Sequence, residues 1–244
     1  MSAVGATHRG NVRTENQDAF FTIEKENCSI FAVADGLGGH RSGNVASQLC
    51  VKKIKAYFAD VDINECFEDP IDVRTHIKQV NTWLHDLSVR NAKLKGMGTT
   101  LTLAMAMEDQ LLVFHAGDSR AYRISDGNIQ QITVDHSLVQ QMVEQGQITE
   151  EEALLHPQKH IITRAVGTEE QIKIDIYRCP LEEDDAILLC TDGLTNHLPE
   201  EEIAELVKAG TDKEKTVQSL VEAALERGGT DNLTVVLYDN RGTK

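Results

Sequence analysis

Four aspartates stand where strongly apolar runs begin or end. Ile30 to Ala34 leads into Asp35-Gly36. Leu111 to Phe114 leads, through His115-Ala116-Gly117, into Asp118. Ile187 to Thr191 leads into Asp192-Gly193, and Asp231-Asn232 opens the run Leu233 to Leu237. If these runs are neighbouring strands, the four carboxylates converge at one edge of the core. Clustered anions repel and lose hydration, so a cation must hold them. Hard oxygen ligands without His or Cys select Mg²⁺ or Mn²⁺ and disfavour zinc. A lone Asp-Gly is ordinarily a turn, which is how Asp126-Gly127 reads between its hairpin flanks. Gly36 has no side chain and lets backbone approach a hydrated metal. Gly38, Gly39 and Gly43 keep the loop open before a helix that begins near Asn44.

Other chemistries fit less well. A strict G-x-G-x-x-G from Gly36 fails at Arg41, and Asp35 would repel a pyrophosphate. Gly117-Asp118-Ser119-Arg120-Ala121 approaches a serine-hydrolase elbow, but its last position is Ala121 and a hairpin follows where a helix is required. None of the five cysteines has an arginine six residues on, so thiolate catalysis is disfavoured. Asp60-Val61-Asp62 lacks a buried strand before it and reads as a solvated helix end. His156 and His160 have a metal-binding spacing, but Pro157 opposes a helix there and no further zinc ligand is near.

The elements that must position these residues follow from periodicity. Clustered β-branched and apolar residues predict strands at 29–34, 99–107, 111–116, 121–124, 129–133, 172–177, 186–190 and 233–238. Ser125-Asp126-Gly127-Asn128 predicts a hairpin turn. Val73, Ile77, Val80, Leu84 and Leu87 step as one face of a helix, as do Val45 to Val61, Ile203 to Val207 and Val217 to Ala224. Thr149 is a predicted helix cap. Helices cluster after the first strands and near residue 220, around a hairpin-rich middle. That grouping predicts an α+β fold with antiparallel sheets.

Composition narrows the function. Twenty-four Lys and Arg against 39 Asp and Glu leave a net charge of −15 over 244 residues. That balance excludes a basic nucleic-acid footprint and a polybasic membrane surface. Hydrophobic residues at 41% and charged residues at 26% exclude disorder throughout. Five scattered cysteines without a C-x-x-C pair indicate a reducing compartment. Residues 1–13 lack the apolar stretch of a secretory signal, and no run is long enough to span a membrane. A cytoplasmic protein is expected, as one domain over residues 1–244.

Eight short motifs occur in order. They are Arg13-x-x-Asn16-Gln17-Asp18; Ala34-Asp35-Gly36-Leu37-Gly38-Gly39-His40; Gly96-Met97-Gly98-Thr99-Thr100-Leu101; Ala116-Gly117-Asp118-Ser119-Arg120; Asp135-His136-Ser137-Leu138; Ile162-Thr163-Arg164-Ala165-Val166-Gly167; Thr191-Asp192-Gly193-Leu194; and Gly229-Thr230-Asp231-Asn232-Leu233-Thr234. Together they resemble the metal-dependent Ser/Thr protein phosphatases of type 2C, in a compact bacterial form, over essentially the whole chain.

The resemblance implies an α-β-β-α sandwich of two central, mainly antiparallel sheets flanked by helices. It implies Mn²⁺ or Mg²⁺ as cofactor, two ions with a looser third. Asp35 would bridge the pair, the Gly36 carbonyl would bind one ion, Asp192 and Asp231 the other, and Asp118 the third. Asp18 would orient metal-bound water, Asn232 would support the ligands by hydrogen bonding, and Arg13 would clamp the substrate phosphate. An ion pair with Glu15 or Asp18 is the other use open to Arg13. The implied reaction is hydrolysis of phosphoserine and phosphothreonine by direct attack of a water bridging the ions, with no phosphoenzyme. Two metals about 3.5–4 Å apart acidify such a water and neutralise the phosphate. The planar fork of an arginine matches two phosphate oxygens.

Two positions depart from the pattern. Gln17 stands where many relatives carry Glu, and Leu37 where some carry a histidine acid. The leaving-group acid is then His40 or metal-bound water. Residues 139–161 match a flap that affects substrate choice. Expected partners are phosphorylated proteins, a Ser/Thr kinase and its targets, with no nucleic acid or membrane, and the chain acting as a monomer. A phosphoprotein-binding module of the same fold is the alternative, disfavoured because Arg13, Asp35, Asp192 and Asp231 are all present.

Overall fold

The computed structural model describes residues 2–25, 27–38 and 42–240. One sheet holds β2 (Asp18–Lys25), β3 (Cys28–Leu37), β5 (Leu101–Met107), β6 (Gln110–Ala116) and β9 (Asp175–Pro180) in that order, with the short β4 (Gly98–Thr99) pairing the far end of β3. The other is ordered β1 (Ala3–His8), β11 (Leu233–Asp239), β10 (Ala186–Cys190), β7 (Arg120–Ser125), β8 (Asn128–Gln131). Every strand pairing is antiparallel.

The central strands are apolar on both faces because both faces are covered. In β3, Phe31 and Val33 meet Ile187, Leu189, Val236 and Tyr238 of the other sheet. The alternate residues Ile30, Ala32 and Ala34 pack outward with α1 (Ser42–Tyr57) and α3 (Ile71–Arg90), through Cys50, Ile54, Ile77 and Leu84. Leu188, Cys190, Val235 and Leu237 likewise face α7 (Glu200–Ala209) and α8 (Lys213–Glu226). The side-chain period of two thus divides each run between an inter-sheet core and a helix-side core. The result is the expected four-layer α+β sandwich.

Most of the predicted elements are present, with shifted ends. The 125–128 hairpin turn has Asp126 at φ 52° and Gly127 at φ 83°, the positive pair that a two-residue hairpin requires. The last predicted strand before residue 180 lies three residues later than expected: Ile172 and Ile174 pack into the helix-side core, and β9 begins at Asp175. The helix expected to reach Val61 ends at Tyr57. The edge strands β1 and β2 were not predicted, nor were the short helices α2 (Ile63–Glu68), α4 (Leu138–Glu144) and α6 (Asp192–Thr195). Thr149 does cap a helix, α5 (Glu150–Leu155). Its hydroxyl accepts from the Glu152 amide, and the Glu152 carboxylate accepts from the Thr149 amide in return.

Helices α4 and α5 form an excursion closed at its base. Ser137 bridges Ile162, and the Leu138 amide donates to the Ile161 carbonyl at 2.8 Å. Among the described residues, no helix is long and apolar enough to cross a membrane, and all five cysteines are free.

Candidate active site

The predicted carboxylates meet at one end of the sandwich. Asp35 lies near the end of β3, and Asp18 is its register partner at the start of β2. Asp118 sits in the turn between β6 and β7. Asp192 opens α6 directly after β10, and Asp231 lies two residues before β11, which pairs with β10. Each sheet therefore delivers acids to a shared cleft of about 1290 Å³, lined by Asp35, Gly36, Asp118, Asp192, Asp231 and Arg13.

Asp18 lies behind the cleft, 5% exposed. One of its oxygens, Oδ2, accepts from Thr234 Oγ1 at 2.7 Å and Thr191 Oγ1 at 2.9 Å. Asp35 is held through its backbone: its amide donates to Thr100 Oγ1, and its carbonyl accepts from Thr99 Oγ1 and the Thr100 amide. Asn196 Nδ2 donates to Asp192 Oδ2 at 3.0 Å. Asn232 ties the acids to the loop that carries Arg13. Its Nδ2 donates to the carbonyls of Arg9 and Glu15, its Oδ1 accepts from the Gln17 amide, and its own amide donates to Asp231 Oδ1.

Arg13 pairs with Asp231, Nη2 to Oδ2 at 2.6 Å, rather than making the ion pair with Glu15 or Asp18 considered from sequence. Gly36 lines the cleft and has a packing role as well. A side chain there would collide with the carbonyl oxygens of Gly43 and Gln17, so the glycine is needed where the start of α1 presses against β3. His40 and Gly39 lie outside the described residues.

Negative charge is concentrated here, and Arg13 pairs with only one of the acids. Burial pushes the Asp18 carboxyl up to about 7, with Asp192 and Asp231 adding repulsion. Burial and the Asp192 charge push Asp118 up to about 8. Asp35 is raised well above the carboxylate range by burial and by Asp18, Asp192 and Asp118, and Asp192 is raised by burial and Asp231. Asp18 Oδ1, Asp118 Oδ1 and Asp192 Oδ1 are buried and have no hydrogen-bond partner among the described residues. Orphaned, repelling carboxylate oxygens in a cleft fit a divalent cation. Among the described residues, no three His, Cys, Asp or Glu side chains close into a ready-made cage.

A pH dependence follows. A carboxyl with a raised pKa in the fold stabilises it while protonated, and that contribution is lost as pH rises through the folded value. In EDTA, the melting temperature should therefore fall from about pH 4, where these carboxyls ionise in the unfolded chain, to about pH 8, and level off once Asp18 (about 7) and Asp118 (about 8) have ionised in the fold. Adding Mn²⁺ should flatten this slope in a thermal-shift assay. A metal-free melting temperature that rises over this range would contradict the assignment.

Sequence reasoning missed the threonines around Asp18 and Asp35, although all lie inside the quoted motifs. It also missed Lys159, which lines the cleft beside His160. A further network supports the Asp118 turn. His136 Nδ1 accepts from the Gly117 amide at 3.0 Å, and Nε2 lies 2.9 Å from Asp175 Oδ2 and 2.7 Å from Arg164 Nη1. Arg164 donates to the same Asp175 oxygen at 2.9 Å, and the Thr163 amide donates to the His136 carbonyl. The Asp118 turn and the base of the α4–α5 excursion are thus joined.

Comparison with known proteins agrees with this architecture. The sequence profile of the family described as protein phosphatase 2C matches residues 4–234. The serine/threonine phosphatase stp of Listeria welshimeri is 36% identical over 241 residues, covering 98% of this chain and 96% of that protein. The crystal structure of the serine/threonine phosphatase Stp1 from Staphylococcus aureus superposes with a TM-score of 0.93 at 36% identity, covering 98% of this chain and 95% of that one. The catalytic domain of the serine/threonine protein phosphatase PstP, solved with two manganese ions, gives 0.84 at 32% identity, covering 97% of this chain and 96% of that one. The chain belongs to the protein phosphatase 2C family. Its activity is that of a metal-dependent hydrolase, removing phosphate from phosphoserine and phosphothreonine in proteins.

Proposed function

We propose that the chain binds two Mg²⁺ or Mn²⁺ ions through Asp35, the Gly36 carbonyl, Asp192 and Asp231, with Asp118 available to a third. The observation that carries this reading is the set of orphaned, buried oxygens on Asp18, Asp118 and Asp192. When bound, the ions would supply positive charge for the phosphate oxygens and acidify a water for in-line attack. Asp18, fixed through Oδ2 by two threonine hydroxyls, keeps Oδ1 without a partner and would use it to orient that water. Arg13 stands at the mouth of the cleft. With Asp231 engaged as a metal ligand, the Arg13 guanidinium now paired with it would be free to bind two phosphate oxygens.

Residues 1–244 act as one catalytic unit, and residues 139–161 as a flap beside the cleft. The unit works as a monomer in a reducing cytoplasm, and the five free cysteines fit the reducing compartment. Its substrates are phosphoproteins, with a Ser/Thr kinase and that kinase's targets as partners. The deciding experiment is phosphate release from a phosphothreonine peptide, titrated with Mn²⁺ and then EDTA. Release that needs metal supports the mechanism. Chelator-insensitive release would refute it, and Mn²⁺ binding without release would favour the phosphoprotein-binding alternative.

Arg13→Ala should raise KM about tenfold with a smaller change in kcat. It removes a charge-assisted contact made in both ground and transition states, and its ion pair with Asp231 has to be given up on binding. A large fall in kcat at constant KM would instead assign Arg13 to the transition state alone.

A further inference from the structure

A second groove, of about 710 Å³, lies between the α4–α5 excursion and the β7–β8 edge. It shares Asp118, Lys159, His160, Asp192 and Asn196 with the phosphate cleft, so the two form one continuous trough. Among polar neighbours its lining carries an apolar strip: Val139 and Val143 from α4, Ala153 and Leu154 from α5, and Val134. Leu154 is 65% exposed and Val134 40%, an open apolar surface beside a catalytic centre. Arg120 binds both oxygens of Asp135 at 2.7–3.0 Å and lies 3.8 Å from Glu200, so the three together leave one net negative charge. Glu150 and Glu200, each the first residue of its helix, then leave the rim acidic against Lys159.

We infer that this groove is a subsite for the polypeptide flanking the phosphoresidue, and that it takes an apolar side chain with a basic residue beside it. The inference rests on the phosphatase reading above and adds the sequence class of the substrate. An extended chain advances about 3.3 Å per residue, so a side chain a few positions from the phosphoresidue enters the groove while the phosphate occupies the cleft. The apolar wall offers contact area to a Leu or Val, and the glutamates favour Lys or Arg over acidic neighbours.

The test compares phosphothreonine peptides in which Leu-Arg, Gly-Gly or Leu-Glu is scanned position by position along each flank, with p-nitrophenyl phosphate as a substrate too small to reach the groove. At one register, Leu-Arg peptides should show kcat/KM about tenfold above Gly-Gly, with Leu-Glu lower than Leu-Arg. Leu154→Ser should abolish the preference for Leu, and Glu150→Gln should narrow the gap between Arg and Glu. Both should leave p-nitrophenyl phosphate turnover unchanged. Flank-independent rates with intact p-nitrophenyl phosphate hydrolysis would overturn the groove alone. So would a Leu154→Ser loss equal on all substrates. Failure of the wild type to hydrolyse any of these substrates with Mn²⁺ would overturn the underlying mechanism.

Discussion

Asp192→Asn is expected to lower phosphate release from a phosphothreonine peptide by at least about a thousandfold, yet to raise the melting temperature of the metal-free protein. The amide keeps the shape of the side chain and can still accept from Asn196. It removes the negative charge that a divalent ion needs. In EDTA the same change is a relief. The Asp192 carboxyl is raised by burial and by the neighbouring Asp231, so its ionised form opposes folding at neutral pH. Asp35→Asn should behave alike, since Asp35 is held through its backbone and not its carboxylate. Asp126→Asn, in the hairpin turn, should change neither quantity. Activity assays beside thermal shifts in EDTA and in Mn²⁺ test both halves. An Asp192→Asn protein melting well below wild type in EDTA would show that the carboxylate holds the fold together.

The double substitution Thr191→Val and Thr234→Val is expected to cut kcat about a hundredfold with little change in KM. The basis is that losing one partner that orients a metal-site group typically costs 10–100-fold. Both hydroxyls donate to Asp18 Oδ2 and oppose the upward push of burial on its pKa. Without them Asp18 stays protonated at higher pH and its orientation loosens. The acidic limb of the kcat profile should therefore move to higher pH, a change that mere destabilisation does not produce. Thr191→Ser with Thr234→Ser should restore most of the activity. An unshifted profile, with activity lost only in proportion to folded protein, would reduce the threonines to packing.

The fold was legible where burial was two-sided. β3, β10 and β11 are continuous apolar runs because each lies between a second sheet and a layer of helices. β1 and β2 were not legible: they carry polar residues, and in β2 the adjacent Phe20 and Phe21 break any simple alternation. The acids of the site were readable because an aspartate at the end of an apolar strand is costly without a reason. The threonines supporting them were not, since a β-branched residue in or beside a strand is already accounted for by β propensity. Nor does sequence reveal that Arg13 pairs with Asp231, a partner 218 positions away. Lys159 was missed because it sits in an irregular segment with no periodicity to place it.

The pairing of β1 with β11 has a consequence for how the enzyme comes into being. Residues 3–8 find their sheet only beside residues 233–239. The loop bearing Arg13 is stitched by Asn232, and Asn11 donates to the carbonyls of Leu225 and Gly228. On the ribosome, β1 must wait for β11, made more than 220 residues later. Contacts of such long sequence separation are slow to form. A nascent chain can assemble β3, β5 and β6 with their helices while still lacking Asp231 and the brace on Arg13. With Asp231 and Arg13 in the roles proposed above, the growing polypeptide would gain activity only when the strand following Asp231 emerges and pairs with β1.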